Sequence, residues 1–105
     1  METQLDQRQL AEIKFVWLAQ YMPDDLREMF KDNVLKVHLE NEALRAYDRI
    51  EQFIQIGMPK YAAEQLALAE IAPDIEAAPE NKQVQGAEFE KLKARTFPEK
   101  KPKSF

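Results

Sequence analysis

The single histidine, His38, stands four residues before Glu42. Residues four positions apart lie on the same face of a helix, so this pair could supply two ligands to a metal ion. A catalytic zinc site needs a third protein ligand, and no accompanying motif provides one. Because His38 lies between Val37 and Leu39, we expect a structural or surface histidine, neither a metal ligand nor a catalytic base.

A second candidate is the group of carboxylates Asp24, Asp25 and Glu28. Carboxylates this close can share a metal ion or divide the roles of general acid and general base. The group directly follows Pro23, and proline followed by acidic residues is typical of the first turn of a helix. We therefore interpret these carboxylates as a helix start.

The composition excludes several enzyme classes. The 105 residues include no cysteine, a single serine (Ser104) and two glycines, Gly57 and Gly86. Thiolate nucleophiles, thiolate metal sites, nucleophile-elbow serines and glycine-rich phosphate loops are all absent. The sequence predicts a protein without catalytic activity, cofactor or metal.

Charge is distributed unevenly along the chain. Residues 1–73 carry 13 acidic and eight basic side chains, whereas residues 74–105 carry six acidic and seven basic ones. An acidic body repels phosphate backbones, so the basic residues of the second part are the candidate nucleic-acid contacts. They are Lys91, Lys93, Arg95, Lys100, Lys101 and Lys103. A solvated tail that binds nothing explains the same residues.

Hydrophobic periodicity predicts an all-α protein, a small bundle of three to four helices over residues 1–73. We expect helices over residues 5–21, from Pro23 to about Asn33, over 34–56, and from Pro59 to Pro73. Thr3 is the expected N-cap of the first helix, and Gly57 the expected stop of the third. In the fourth helix, Ala62, Leu66 and Ala69 are the expected packing residues.

The periodicity fades beyond Pro73. We predict that residues 74–105 form a linker and a mostly disordered basic tail, mobile after about Pro79. Residues 87–95 could form about two turns of helix, with Phe89 and Leu92 as the sizeable apolar side chains.

The first helix is apolar over more than one stripe. Successive helical residues differ by about 100° in direction, so the run from Phe15 to Leu18 must point to several sides. The candidate protein interface consists of Phe15, Val16, Trp17, Leu18 and Tyr21. A two-fold homodimer would cover this surface, and so would a central position of the helix within its own bundle.

Part of this sequence resembles a known family. The residues concerned are Trp17-Leu18, Tyr21-Met22-Pro23, Leu35, His38-Leu39, Arg49-Ile50-Glu51 and Ile54. They are similar to the middle of the TnpV-type proteins, small proteins encoded within transposons of gut bacteria. The resemblance implies an accessory role on a mobile element, without an established enzymatic activity.

The sequence as a whole predicts a small cytoplasmic helical protein, of bacterial or phage type, that acts by binding a protein partner. Its longest apolar run, residues 15–19, is much shorter than the roughly 20 residues that span a bilayer. A nucleic-acid accessory factor that uses the basic C-terminal residues is the alternative function.

Overall fold

Five α-helices follow one another in the computed structural model, which describes residues 5–98. They are α1 (Gln7–Tyr21), α2 (Pro23–Lys31), α3 (Leu35–Gln55), α4 (Lys60–Ile71) and α5 (Gly86–Thr96), with a short 3₁₀ turn at Glu80–Lys82. The predicted all-α class is confirmed for this part of the chain, which contains no strand. The predicted number of three to four helices is too low, because the prediction did not count α5.

Local chemistry explains where the helices begin and end. Asp6 caps α1: its side chain accepts a hydrogen bond from the backbone N–H of Gln9, and the Gln9 side chain accepts one from the N–H of Asp6. The predicted cap, Thr3, is therefore wrong, and Thr3 itself lies outside the described residues. Asn33 (φ 62°) and Gly57 (φ 97°) adopt the left-handed conformation that ends α2 and α3.

The core lies between α1, α3 and α4. Along α3 and α4 many of the buried residues are alanines, which allow the two helices to approach each other closely. In α4 the buried residues are Ala63, Ala67 and Ile71, whereas Leu66 is 48% exposed. The predicted packing face of α4 was therefore wrong by about one residue, or 100° of helix rotation.

The segment predicted as a linker and tail forms part of the folded body. The backbone N–H groups of Ala78 and Val84 donate to carbonyl oxygens at the end of α1, each over 2.9 Å. Val84 and Leu92 are almost completely buried, at 2% and 4% exposure. The predicted boundary at residue 73 is corrected accordingly: the body continues through α5, and residues 99–105 of the predicted tail lie outside the described residues.

Candidate functional site

The predicted interface on α1 is largely covered by the protein's own chain. Phe15 and Leu18 are 1% and 4% exposed, and Val16 is 39% exposed. Trp17 and Tyr21 are half-buried and stack on each other with ring centroids 5.4 Å apart. The five residues therefore do not form one exposed surface, and α1 takes the central position that was the alternative to a dimer.

Phe15 is covered by two aromatic rings, that of Phe89 in α5 and that of Phe97, the residue directly after α5. The centroid of the Phe15 ring lies 5.2 Å from that of Phe89 and 5.7 Å from that of Phe97, the latter in an edge-on arrangement. Tilted and edge-on pairs at these distances are the favourable geometries for aromatic rings. The indole N–H of Trp17 also has a partner, the carbonyl oxygen of Pro73 at 2.9 Å.

A buried ion pair that the sequence analysis missed joins the central helices. The Lys14 ammonium lies 3.5 Å from a carboxylate oxygen of Glu42, donates a hydrogen bond to the carbonyl oxygen of Ile71, and lies 4.3 Å from the centre of the Trp17 ring. Burial lowers the pKa of Lys14, and the Glu42 carboxylate opposes this shift. Lys14 thus links α1 to both α3 and α4. Its place in the apolar stripe, four residues after Leu10, was the signal available in the sequence.

Within residues 5–98, the candidate catalytic residues form no group of three that could hold a metal ion. Glu42 faces Lys14 and also pairs with Arg45, over 3.1 Å, while His38 is half-buried on the same helix. Asp24 and Asp25 occupy the first turn of α2, as the helix-start interpretation predicts. Among residues 5–98, no three side chains of the metal-ligating types come close enough to hold a metal ion.

The predicted nucleic-acid residues divide into two groups. Lys91, Lys93 and Arg95 are exposed on α5. Lys100, Lys101 and Lys103 lie outside the described residues. α5 itself is held to α2 by Arg27, whose guanidinium makes two hydrogen bonds of 2.8 and 2.9 Å to the Glu88 carboxylate. The hydrogen bonds from Arg27 lower the pKa of Glu88, and those to Glu88 raise the pKa of Arg27.

Among residues 5–98, the most exposed large apolar side chains flank the turn between α3 and α4. Ile56, directly before Gly57, is 76% exposed, and Tyr61, in the first turn of α4, is 69% exposed. Ile54 is a further exposed apolar residue at this end of α3, at 36%. We call Ile54, Ile56 and Tyr61 the hairpin tip. Sequence reasoning assigned these residues to helices without assigning them a surface role.

We compared the chain with protein families, curated proteins and solved structures. No protein-family model, curated protein or solved structure matches this chain. In the described residues, no helix is both long enough and apolar enough to cross a bilayer.

Proposed function

We propose that the protein is a non-catalytic accessory protein that binds a protein partner through the hairpin tip. The observation that carries this proposal is the exposure of Ile56 and Tyr61 on either side of the α3–α4 turn. Burying a large apolar side chain in an interface contributes about 1.5–3 kcal/mol, and tyrosine is enriched in protein interfaces. The Arg49–Glu70 ion pair of 3.0 Å also joins α3 to α4, the two helices that meet at the hairpin tip.

Affinity capture from the source organism tests this function. We expect the double variant Ile56→Gln with Tyr61→Gln to lose the partner that the wild type captures. The matched control, Val37→Gln with Leu44→Gln, changes two apolar residues of α3 that are 56% and 47% exposed, and should retain it. Equal capture by both double variants would contradict the proposal.

Sedimentation equilibrium distinguishes a second copy of the chain from a different partner. If the partner is a second copy, the wild type and the control will dimerise with rising concentration, while the hairpin-tip variant will stay monomeric. A homodimer through the predicted surface on α1 is not part of this proposal, because Phe15 and Leu18 are enclosed.

Binding of nucleic acid is the second candidate function. The supporting observation is that Lys91, Lys93 and Arg95 are all exposed on one short helix. A gel shift that weakens with salt and is lost when these three residues become glutamine would support it. The accessory role on a mobile element that the TnpV-type resemblance implies also stays a proposal; genomic neighbours of the encoding gene would test it.

A further inference from the structure

Residues 78–97, which we call the C-terminal arm, are attached to the body of the protein through α1 and α2. In the described part of the chain, the hydrogen bonds, the ion pair and the ring contacts between arm and body all go to these two helices, and none goes to α3 or α4. The other hydrogen bonds of the arm are internal, such as that from the Gln83 side chain to the carbonyl oxygen of Ala78. The arm is therefore one unit, and its partners lie far away in the sequence.

A short exposed segment, residues 74–77, connects the arm to the end of α4. We call this segment the hinge. All four of its residues are exposed, and they form no hydrogen bond or ion pair with another described residue. Four extended residues span up to about 14 Å. The hinge can therefore change direction without breaking a polar contact.

The place that the arm occupies on the body is specific for the arm. The Phe15 ring receives the rings of Phe89 and Phe97, at centroid distances of 5.2 and 5.7 Å. The Arg27 guanidinium receives the Glu88 carboxylate through two hydrogen bonds of 2.8 and 2.9 Å. An arm that leaves exposes apolar surface on α1, which favours any segment that covers it again. The same arm from another copy fits best, because it brings the same rings and the same carboxylate.

We propose that two copies of this chain exchange their C-terminal arms, so that the arm of each copy packs on α1 and α2 of the other. Such domain swapping gives a closed two-fold dimer that repeats the contacts of the single chain. The hinge and the protein concentration then decide between the closed and the exchanged form. A short linker holds the arm near its own body at an effective concentration in the millimolar range, so the wild type stays closed at micromolar concentrations. The exchange does not involve the hairpin tip.

Reversing the two charges of the Arg27–Glu88 pair on separate chains tests the exchange. In each of the variants Arg27→Glu and Glu88→Arg, like charges face each other in the closed form. When the two variants are unfolded and refolded together, exchange of arms pairs opposite charges at both sites of a mixed dimer. We expect sedimentation equilibrium to give this dimer a dissociation constant about 30-fold below that of the wild-type dimer, because two repulsive pairs become two attractive ones. Neither variant should gain a dimer by itself.

Two controls isolate the effect of this pair. A single chain with both Arg27→Glu and Glu88→Arg has opposite charges within its own closed form and should be as monomeric as the wild type. A mixture of Lys31→Glu with Glu90→Arg makes the same charge changes on α2 and α5. Both of these residues are exposed and form no ion pair with another described residue, so this mixture should gain no dimer.

Isotope-filtered NOE spectra show which chain supplies the arm. With the Arg27→Glu variant labelled with ¹³C and the Glu88→Arg variant unlabelled, we expect NOEs between the labelled Phe15 ring and the unlabelled Phe89 ring. If either variant alone loses helical structure by circular dichroism, mixing should restore it.

The proposal is overturned if the refolded mixture stays monomeric, or if it stays unfolded while the single chain with both changes folds. It is also overturned if the control mixture dimerises equally, or if Phe15 contacts only the Phe89 ring of its own chain.

Discussion

Replacing Lys14 by methionine removes the buried ammonium while keeping an unbranched side chain of similar length. Glu42 then loses a partner at 3.5 Å, and the carbonyl oxygen of Ile71 loses its donor. Removing one member of a buried pair typically costs about 3–5 kcal/mol. The Glu42 side chain is 15% exposed and keeps Arg45, so we expect a smaller loss, about 2 kcal/mol. In a domain of this size that lowers the Tm by about 8–16 °C.

A double-mutant cycle measures the pair itself. Glu42→Gln alone leaves the buried ammonium without its carboxylate, whereas the variant with both changes leaves no buried charge from this pair. We expect the double variant to lose less free energy of unfolding than the sum of the single losses, by about 1 kcal/mol. If Lys14→Met is as stable as the wild type, or if the losses simply add, the inference that this pair stabilises the packing of α1 on α3 is refuted.

The pH dependence gives the same substitution a second readout. The pKa of Lys14 lies below its ordinary value of 10.5, mainly because of burial. Between the lowered pKa and 10.5 the unfolded chain therefore binds more protons than the folded one. The free energy of unfolding of the wild type should rise with pH in this window, relative to that of Lys14→Met. A difference that stays constant up to pH 10.5 would contradict this.

Three further predictions concern α5. Phe89→Ala should lower the free energy of unfolding by about 2–3 kcal/mol, because it removes a ring that covers Phe15, and chemical denaturation would measure the loss. Since the pKa of Glu88 is lowered, its contribution to stability is present above its ordinary value of 4.5 and is lost as the pH falls through the lowered pKa; Glu88→Gln should remove this dependence in acid-unfolding curves. Backbone heteronuclear NOEs should stay near rigid values over residues 80–97, and uniformly low values there would show that α5 is not packed.

The sequence was sufficient for the parts of the fold that depend on local chemistry. Asn33 and Gly57 marked helix ends correctly, because a left-handed backbone conformation selects these residue types. The buried face of α4 was predicted wrongly. Alanine is only weakly hydrophobic, so the large apolar Leu66 was taken as a core residue although it is exposed. Which alanines face α3 is decided by how closely the two backbones can approach, and a single helix does not contain that information.

The packing of the C-terminal helix on the body was missed for a different reason. Phe89, Leu92 and Phe97 are too few to make a convincing apolar face, and Pro79 and Pro98 on either side suggested a loose chain. What stabilises α5 is a match to Phe15 on α1, far away in the sequence. The same long-range contact affects the candidate interface, since Phe15, the first of its five residues, is the residue that Phe89 and Phe97 cover.

That contact also sets an order of events during synthesis. Phe15 leaves the ribosome long before Phe89 and Phe97 exist, and at about 5–20 residues per second the delay is about 4–15 s. Throughout this interval Phe15 lacks the two rings that cover it in the folded protein, and an apolar surface exposed during synthesis is a binding site for chaperones and for other nascent copies. During synthesis the protein therefore passes through a state in which the Phe15 side of α1 is exposed. This state ends when Phe89 and Phe97 pack against Phe15.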